Sequence, residues 1–281
     1  MSFISLNSTK IYYQMIGEGT PVVFISGWTL SCDYWLPLVE KLKHKHLCLL
    51  YDGRGFGRSQ PLAAESSVEI DDHAEDLHQL ITSLKLKDVN LVGHGLGVWT
   101  AALCAKQHPQ DVLTLTALAP ESDASAKDTK SVELPSFWQQ ASILLKDLAK
   151  VPMIGNLVAW RYHNAPEPFR SHLYEDFAKA DRRAAFHLLA SCMGNDNRHR
   201  FAQTLANLHI PILLTRGSED RICSAQLLRT LFEIISSGKL ATVRGCDHFP
   251  MLEYTEEFAN LLLSFFEQNA ILKPNQALTR R

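Results

Sequence analysis

The chain has 281 residues, 46% of them hydrophobic and 21% charged, so it carries enough apolar material to bury a core without disulfide or metal staples. Its formal net charge of -2 is spread without a long block of one sign, which argues against nucleic acid or an anionic membrane as partner. The six cysteines are scattered without a C-x-x-C pair, no apolar stretch reaches the ~20 residues of a membrane span, and the first residues lack a basic segment followed by an apolar run. The expectation is a cytoplasmic protein, monomer or homodimer, with no metal and no other cofactor.

In chain order, FISLN (2–6) and KIYYQMI (10–16) read as a strand pair, the second alternating across its faces. Gly17-Glu18-Gly19 turns the chain into PVVFIS (21–26), an apolar run of the kind buried on both faces of a sheet. A helix is expected near 34–43, a buried strand at LCLLYD (47–52), and a helix over 70–85 with Ile70, Ala74, Leu77, Leu80 and Ile81 on one side. VNLVGH (89–94) is a strand, 96–107 a helix and VLTLTALAP (112–120) a strand. The alternation then stops, and 121–205 reads as helices and loops. It resumes with PILLTRG (211–217), a helix near 224–236, a short strand LATVRG (240–245) and a helix at 255–267. Such alternation calls for a mostly parallel sheet covered on both faces. The division expected is a core at 1–120, a helical cap at 121–205, the rest of the core at 206–268, and a disordered tail at 269–281.

The strongest local signal is Val92-Gly93-His94-Gly95-Leu96-Gly97, set between a buried strand and a helix. A dinucleotide fingerprint would be G-x-G-x-x-G near the first strand, so the spacing here is wrong and the position too late. Four other stretches join it: Phe24-Ile25-Ser26-Gly27-Trp28 after an early strand, Tyr51-Asp52-Gly53-Arg54-Gly55-Phe56-Gly57-Arg58-Ser59 after the next, Gly217-Ser218-Glu219-Asp220, and Gly245-Cys246-Asp247-His248-Phe249-Pro250-Met251-Leu252-Glu253. Cys246 and His248 invite a metal reading, but no second ligand pair accompanies them.

In this order, and over essentially the whole chain, these stretches resemble the α/β-hydrolase-fold superfamily. The first resembles the G-x-S-x-G nucleophile elbow. The others resemble the H-G-x turn (with Ser26 for histidine), the D-x-R-G-x-G-x-S stretch, the G-x-x-D turn of the acid and the turn of the catalytic histidine. The resemblance implies a mostly parallel central sheet flanked by helices, with a helical cap inserted after the sixth strand. It makes His248 the general base, oriented by Asp220, with Glu121 at the end of the strand 112–120 as an alternative acid. It assigns the oxyanion hole to the backbone N–H groups of Leu96 and Trp28. His94 is expected to pack beneath the turn. Ser26 lies near the oxyanion hole and could hydrogen-bond a substrate. Trp28, Trp99, Trp138 and Trp160 are candidates to line a pocket for a small apolar or aromatic molecule.

Gly95 is the departure, because it stands where the nucleophile belongs. Without a side chain it cannot attack a carbonyl, and deleting a serine nucleophile costs about a millionfold in turnover. Three readings of the position stay open: a small-molecule enzyme working without a covalent intermediate, a silent ligand-binding protein of the same fold, and a serine hydrolase whose nucleophile has been replaced by glycine. The first fits hydrolysis, hydration, C–C cleavage and decarboxylation alike. Pyrimidine-degradation hydrolases of the carbamate or aminoacrylate type resemble the chain in its Ile25-Ser26-Gly27 turn and in carrying alanine at the elbow tip.

Overall fold

The structure is a computed structural model and describes residues 2–7, 9–60, 68–121, 165–192 and 195–270. Eight strands form one sheet: β1 (Ser2–Leu6), β2 (Thr9–Ile16), β3 (Thr20–Ile25), β4 (His46–Tyr51), β5 (Val89–His94), β6 (Val112–Leu118), β7 (Ile212–Gly217) and β8 (Gly238–Val243). Their spatial order is β1-β2-β4-β3-β5-β6-β7-β8, antiparallel from β1 to β4 and parallel from β4 to β8. The runs read as buried on both faces behave so: every residue of β5 and β7 is buried, as are Val22–Ile25 of β3.

The helices named in chain order are α1 (Leu36–Leu42), α2 (Ile70–Ser83), α3 (Gly97–Gln107), α4 (Phe169–Lys179), α5 (Arg182–Cys192), α6 (Asn195–Ala206), α7 (Ala225–Ile234), α8 (Pro250–Glu253) and α9 (Thr255–Ala270). A short 3-10 turn, Cys32–Trp35, precedes α1. The expected stripe of α2 is its core face, with Ile70, Ala74, Leu77, Leu80 and Ile81 all buried. A reciprocal capping box fixes its start: the Glu69 side chain accepts from the backbone of Asp72, whose own carboxylate accepts from the Glu69 N–H at 2.8 Å.

Most boundaries move by one or two residues, and three differences near the C-terminal end have a physical reason. β8 runs two residues earlier and is mostly exposed, because it is the edge strand and pairs on one side only, with β7. The four-residue α8 interposes before the last helix; Pro250 begins it at a position that needs no N–H donor. That last helix, α9, runs to Ala270, two residues into the stretch read as tail, with Asn269 Nδ2 donating to Phe265 O at 2.7 Å. Residues 271–281 lie outside the described residues, as do 122–164 of the region read as a cap. The described remainder between β6 and β7 is helical throughout α4, α5 and α6.

The sheet order places the site. From β3 the chain crosses to β4 on one side and later returns to β5 on the other. In open α/β sheets, ligands bind where neighbouring connections diverge in this way, outside the carboxyl ends of the strands. Here those ends are Ser26-Gly27-Trp28 after β3 and Gly93–Gly97 at the end of β5.

Candidate functional site

Gly95 lies at the tip of the β5–α3 turn with φ +54°, a left-handed conformation that glycine adopts without steric cost. Its N–H donates to Leu118 O at 3.0 Å, holding the tip against the end of β6. Two residues on, a Cβ at Gly97 would stand 2.5 Å from Ser26 O and 2.6 Å from Ile25 O. Only glycine lets α3 begin so close to β3, so the turns carrying Leu96 and Trp28 adjoin.

His248 follows β8 on a loop that opens at Gly245 and closes at α8. Glu253 clamps the loop on both sides of the ring: Oε2 accepts from Asp247 N at 2.8 Å and Oε1 from Phe249 N at 3.0 Å. The imidazole is buried, and its Nδ1 bonds Asp220 Oδ2 at 3.0 Å. The carboxylate accepts there, so Nδ1 carries the proton and the ring's orientation is set. The second oxygen of Asp220 accepts from Ile222 N at 2.8 Å and Cys223 N at 2.9 Å, and Arg216 Nη2 braces the Asp220 carbonyl at 2.6 Å. His94 sits beneath the turn, with its Nε2 bonded to the His248 carbonyl at 3.1 Å and its ring 4.6 Å from that of His248.

Glu121 completes the arrangement. Its Oε1 lies 3.6 Å from His248 Nε2, the nitrogen facing away from Asp220. A Cβ built on Gly95 would come within 2.9 Å of the same oxygen. The carboxylate that the sequence offers as an alternative partner for Nδ1 therefore stands on the other side of the ring, above the elbow tip.

These neighbours decide the charges. Burial opposes the charge on His248, yet the carboxylates of Asp220 and Glu121 outweigh it and lift the ring to about 9. Burial likewise opposes the charge on Asp220, but its bond from His248 and the two backbone donors prevail and hold the carboxyl below its ordinary value. His94 goes the other way: burial, then repulsion by His248, pushes it down to about 3, so it stays neutral. The two carboxylates therefore favour the charged form of the ring.

The remaining candidates fall into place unevenly. The Ser26 hydroxyl donates to Ser31 O at 3.0 Å and accepts from Trp35 Nε1 at 3.1 Å, so its proton ties its own loop together. Trp28 donates from Nε1 to Ala185 O of α5 at 2.8 Å and meets Phe177 of α4 edge-on at 5.7 Å, which fastens the turn to the helices above. Trp99 is fully buried and stacks on Phe201 at 4.6 Å, packing α3 against α6. Trp138 and Trp160 lie outside the described residues. A cavity of about 20 Å³, bordered by Gly27, Gly97, Thr100 and Leu188, has room for one water beside the elbow. Cys246 is buried, and among the described residues no three His, Cys, Asp or Glu side chains form a metal-binding group. No helix among them is long and apolar enough to cross a membrane.

Sequence reasoning missed the Glu253 clamp and the face of His248 that Glu121 occupies. The first had a signal, since a glutamate that follows a histidine loop and closes a short helix can reach back to the loop's N–H groups. The second had none, because it depends on where the chain after β6 lies over the elbow.

Known proteins share this frame. The sequence profile of the alpha/beta hydrolase fold matches residues 20–254. The non-heme chloroperoxidase CPO-A1 of Kitasatospora aureofaciens is 26% identical over 255 residues, 86% of this chain and 90% of its own. RutD of Azorhizobium caulinodans, named for carbamate hydrolysis, is 24% identical over 268 residues, 94% of this chain and 98% of its own. The crystal structure of a bromoperoxidase from Bacillus anthracis superposes with a TM-score of 0.78 at 25% identity, covering 95% of this chain and 99% of that one. With its eight-stranded, mostly parallel sheet, glycine elbow and buried histidine loop, the chain belongs to the α/β-hydrolase fold family.

Proposed function

We propose that the protein is a small-molecule enzyme of the α/β-hydrolase type that works without a covalent nucleophile. The observation that carries this reading is the buried His248–Asp220 pair, bonded at 3.0 Å and set beside an elbow whose tip is glycine. Unlike the buried Arg54–Asp76 pair, which is closed into the scaffold, this pair leaves His248 Nε2 turned away from its partner, 3.6 Å from Glu121 beside the glycine tip. The N–H groups of Leu96 and Trp28, on turns that Gly97 brings together, are the candidates to hold a developing oxyanion. Proton transfer through His248 would then drive noncovalent hydrolysis or a related lyase reaction. The aromatic residues Trp28 and Phe177 beside the turn support an apolar or aromatic small molecule as substrate.

The test is turnover of a panel of esters, thioesters and carbamates by the wild type and by His248→Ala. The expected loss in the variant is about 10²–10⁴-fold, the usual worth of a positioned acid–base group. Equal turnover by both proteins would overturn the reading. Ligands that raise the melting temperature without being turned over would replace it with the silent-binder reading.

A further inference from the structure

We propose that Glu121 is a catalytic residue: its carboxylate, seated over Gly95 and 3.6 Å from His248 Nε2, is the proton acceptor of the reaction. The assignment rests on the noncovalent reading above. It starts from space. A side chain at position 95 would begin 2.9 Å from Glu121 Oε1 and 3.5 Å from its Cδ, so an elbow nucleophile would require the Glu121 carboxylate to swing aside. The missing side chain and the carboxylate that fills its place are one feature, reached because β6 lies beside β5 and the chain emerges from β6 directly above the elbow tip.

The second argument is the side of the ring. Asp220 already takes Nδ1, so Glu121 is not the orienting acid of a triad. It faces Nε2, the nitrogen that exchanges protons with the reacting atoms when a histidine serves an elbow. Among the described residues, the charged and titratable groups beside the ring are Asp220, Glu121 and His94, and the Cys192 and Cys223 thiols within electrostatic reach of Glu121 are held neutral by burial. His94 is neutral, so the centre consists of one imidazolium between two carboxylates. A carboxylate and an imidazolium side by side provide a base and an acid at once.

For a neutral acyl substrate the steps balance without any further reagent. Glu121 takes a proton from water as the water oxygen's lone pair forms a bond to the carbonyl carbon. The carbonyl π pair moves onto oxygen, held by the backbone donors. When the C=O bond re-forms, the bond to the leaving group breaks and its electron pair takes the proton from Nε2. Glu121 is then neutral acid and His248 neutral base. Closing their gap to about 2.8 Å passes the proton back to Nε2 and restores both. The extra negative charge beside the reacting carbon selects neutral esters, thioesters or carbamates over acyl groups that are themselves anionic.

Three experiments on the full chain test the assignment. In the substrate panel, Glu121→Gln is expected to lose about 10²–10⁴-fold in kcat, with part of the rate retained by Glu121→Asp. Wild-type turnover by Glu121→Gln while His248→Ala is inactive would overturn the role of Glu121 and leave the noncovalent reading intact. Wild-type turnover by both variants would overturn both. An NMR titration of His248 needs no substrate: its pKa is expected to fall in Glu121→Gln, and an unchanged value would place the carboxylate elsewhere. Finally, a fluorophosphonate probe is expected to label the double variant Gly95→Ser/Glu121→Gly faster than Gly95→Ser alone. Equal labelling of the two would show that Glu121 does not fill the elbow space.

Discussion

Two glycine-rich turns end the strands on either side of β3, and they treat charge in opposite ways. At the end of β4, Asp52 is wholly buried and accepts from Cys32 N at 2.7 Å and from Arg58 N and Nε at 2.8 and 2.7 Å. Arg54 and Asp76 form a buried ion pair at 2.6 Å, and Ser59 donates to Asp52 O while accepting from Tyr12 N. Each of these groups is closed into the scaffold. At the end of β5 the charges are set differently: His248 and Glu121 face one another at 3.6 Å over a tip without a side chain. Both turns keep the family's sequence pattern around them, but the first spends its polar groups on holding the chain and the second sets His248 and Glu121 over the glycine tip. Retention of a family motif is therefore evidence of fold, and it says little about chemistry until the hydrogen bonds of its polar groups are counted.

The sharpest way to break the comparison is Arg54→Met. It leaves the buried Asp76 carboxyl without its main partner, which costs about 3–5 kcal/mol. Urea unfolding should register that loss, while the His248 titration should not move; a shifted titration would mean the two turns are coupled. Glu253→Ala should have a smaller effect, about 1–3 kcal/mol, because it removes the acceptor from two backbone N–H groups, those of Asp247 and Phe249. It should also slow turnover by loosening the loop that aims His248, whereas Arg54→Met should leave turnover per folded molecule unchanged.

The mildest effect is a slope of stability with pH. His248 has a raised pKa in the folded state, so its contribution is fully present below the ordinary histidine value of 6.5 and is lost as pH rises through about 9. His94 has the opposite sign: its ring stays neutral down to about 3, so stability is lost as pH falls below 6.5 and the unfolded chain takes up the proton. Asp220, held below its ordinary 3.8, adds stability above that value that is also lost in acid. Melting temperature should pass through a maximum near neutrality, and His248→Gln should flatten the alkaline side. An alkaline decline unchanged in that variant would show that the ring does not carry the charge assigned to it.

Much of the core is legible in the linear chain. Val89–His94 and Ile212–Gly217 are buried over their whole length, and burial on both faces leaves an apolar run that periodicity can find. Glycines 93, 95 and 97 declare a turn, Gly95 by its left-handed φ and the other two by close backbone approach, and Asp220 and His248 stand in the short connections after β7 and β8. The exposed β8 is located less well, since an edge strand with one partner needs no apolar pattern to betray its limits. Ser26 and Trp99 carry the right chemistry near the right turn, yet their side chains are turned to Ser31 and Phe201. Nothing in a linear pattern states which way a side chain is turned.

By itself, then, the sequence determined the alternation of the core and the missing side chain at position 95, because each is local to one strand and the turn behind it, whereas the histidine–aspartate pair followed from the family resemblance, with Glu121 still open as the acid. Tertiary structure alone decided which nitrogen of His248 Glu121 approaches. Residues 95, 121, 220 and 248 come from the ends of four different segments, and a displacement of a few ångströms in any one would turn a charged pair over the elbow into two unrelated side chains.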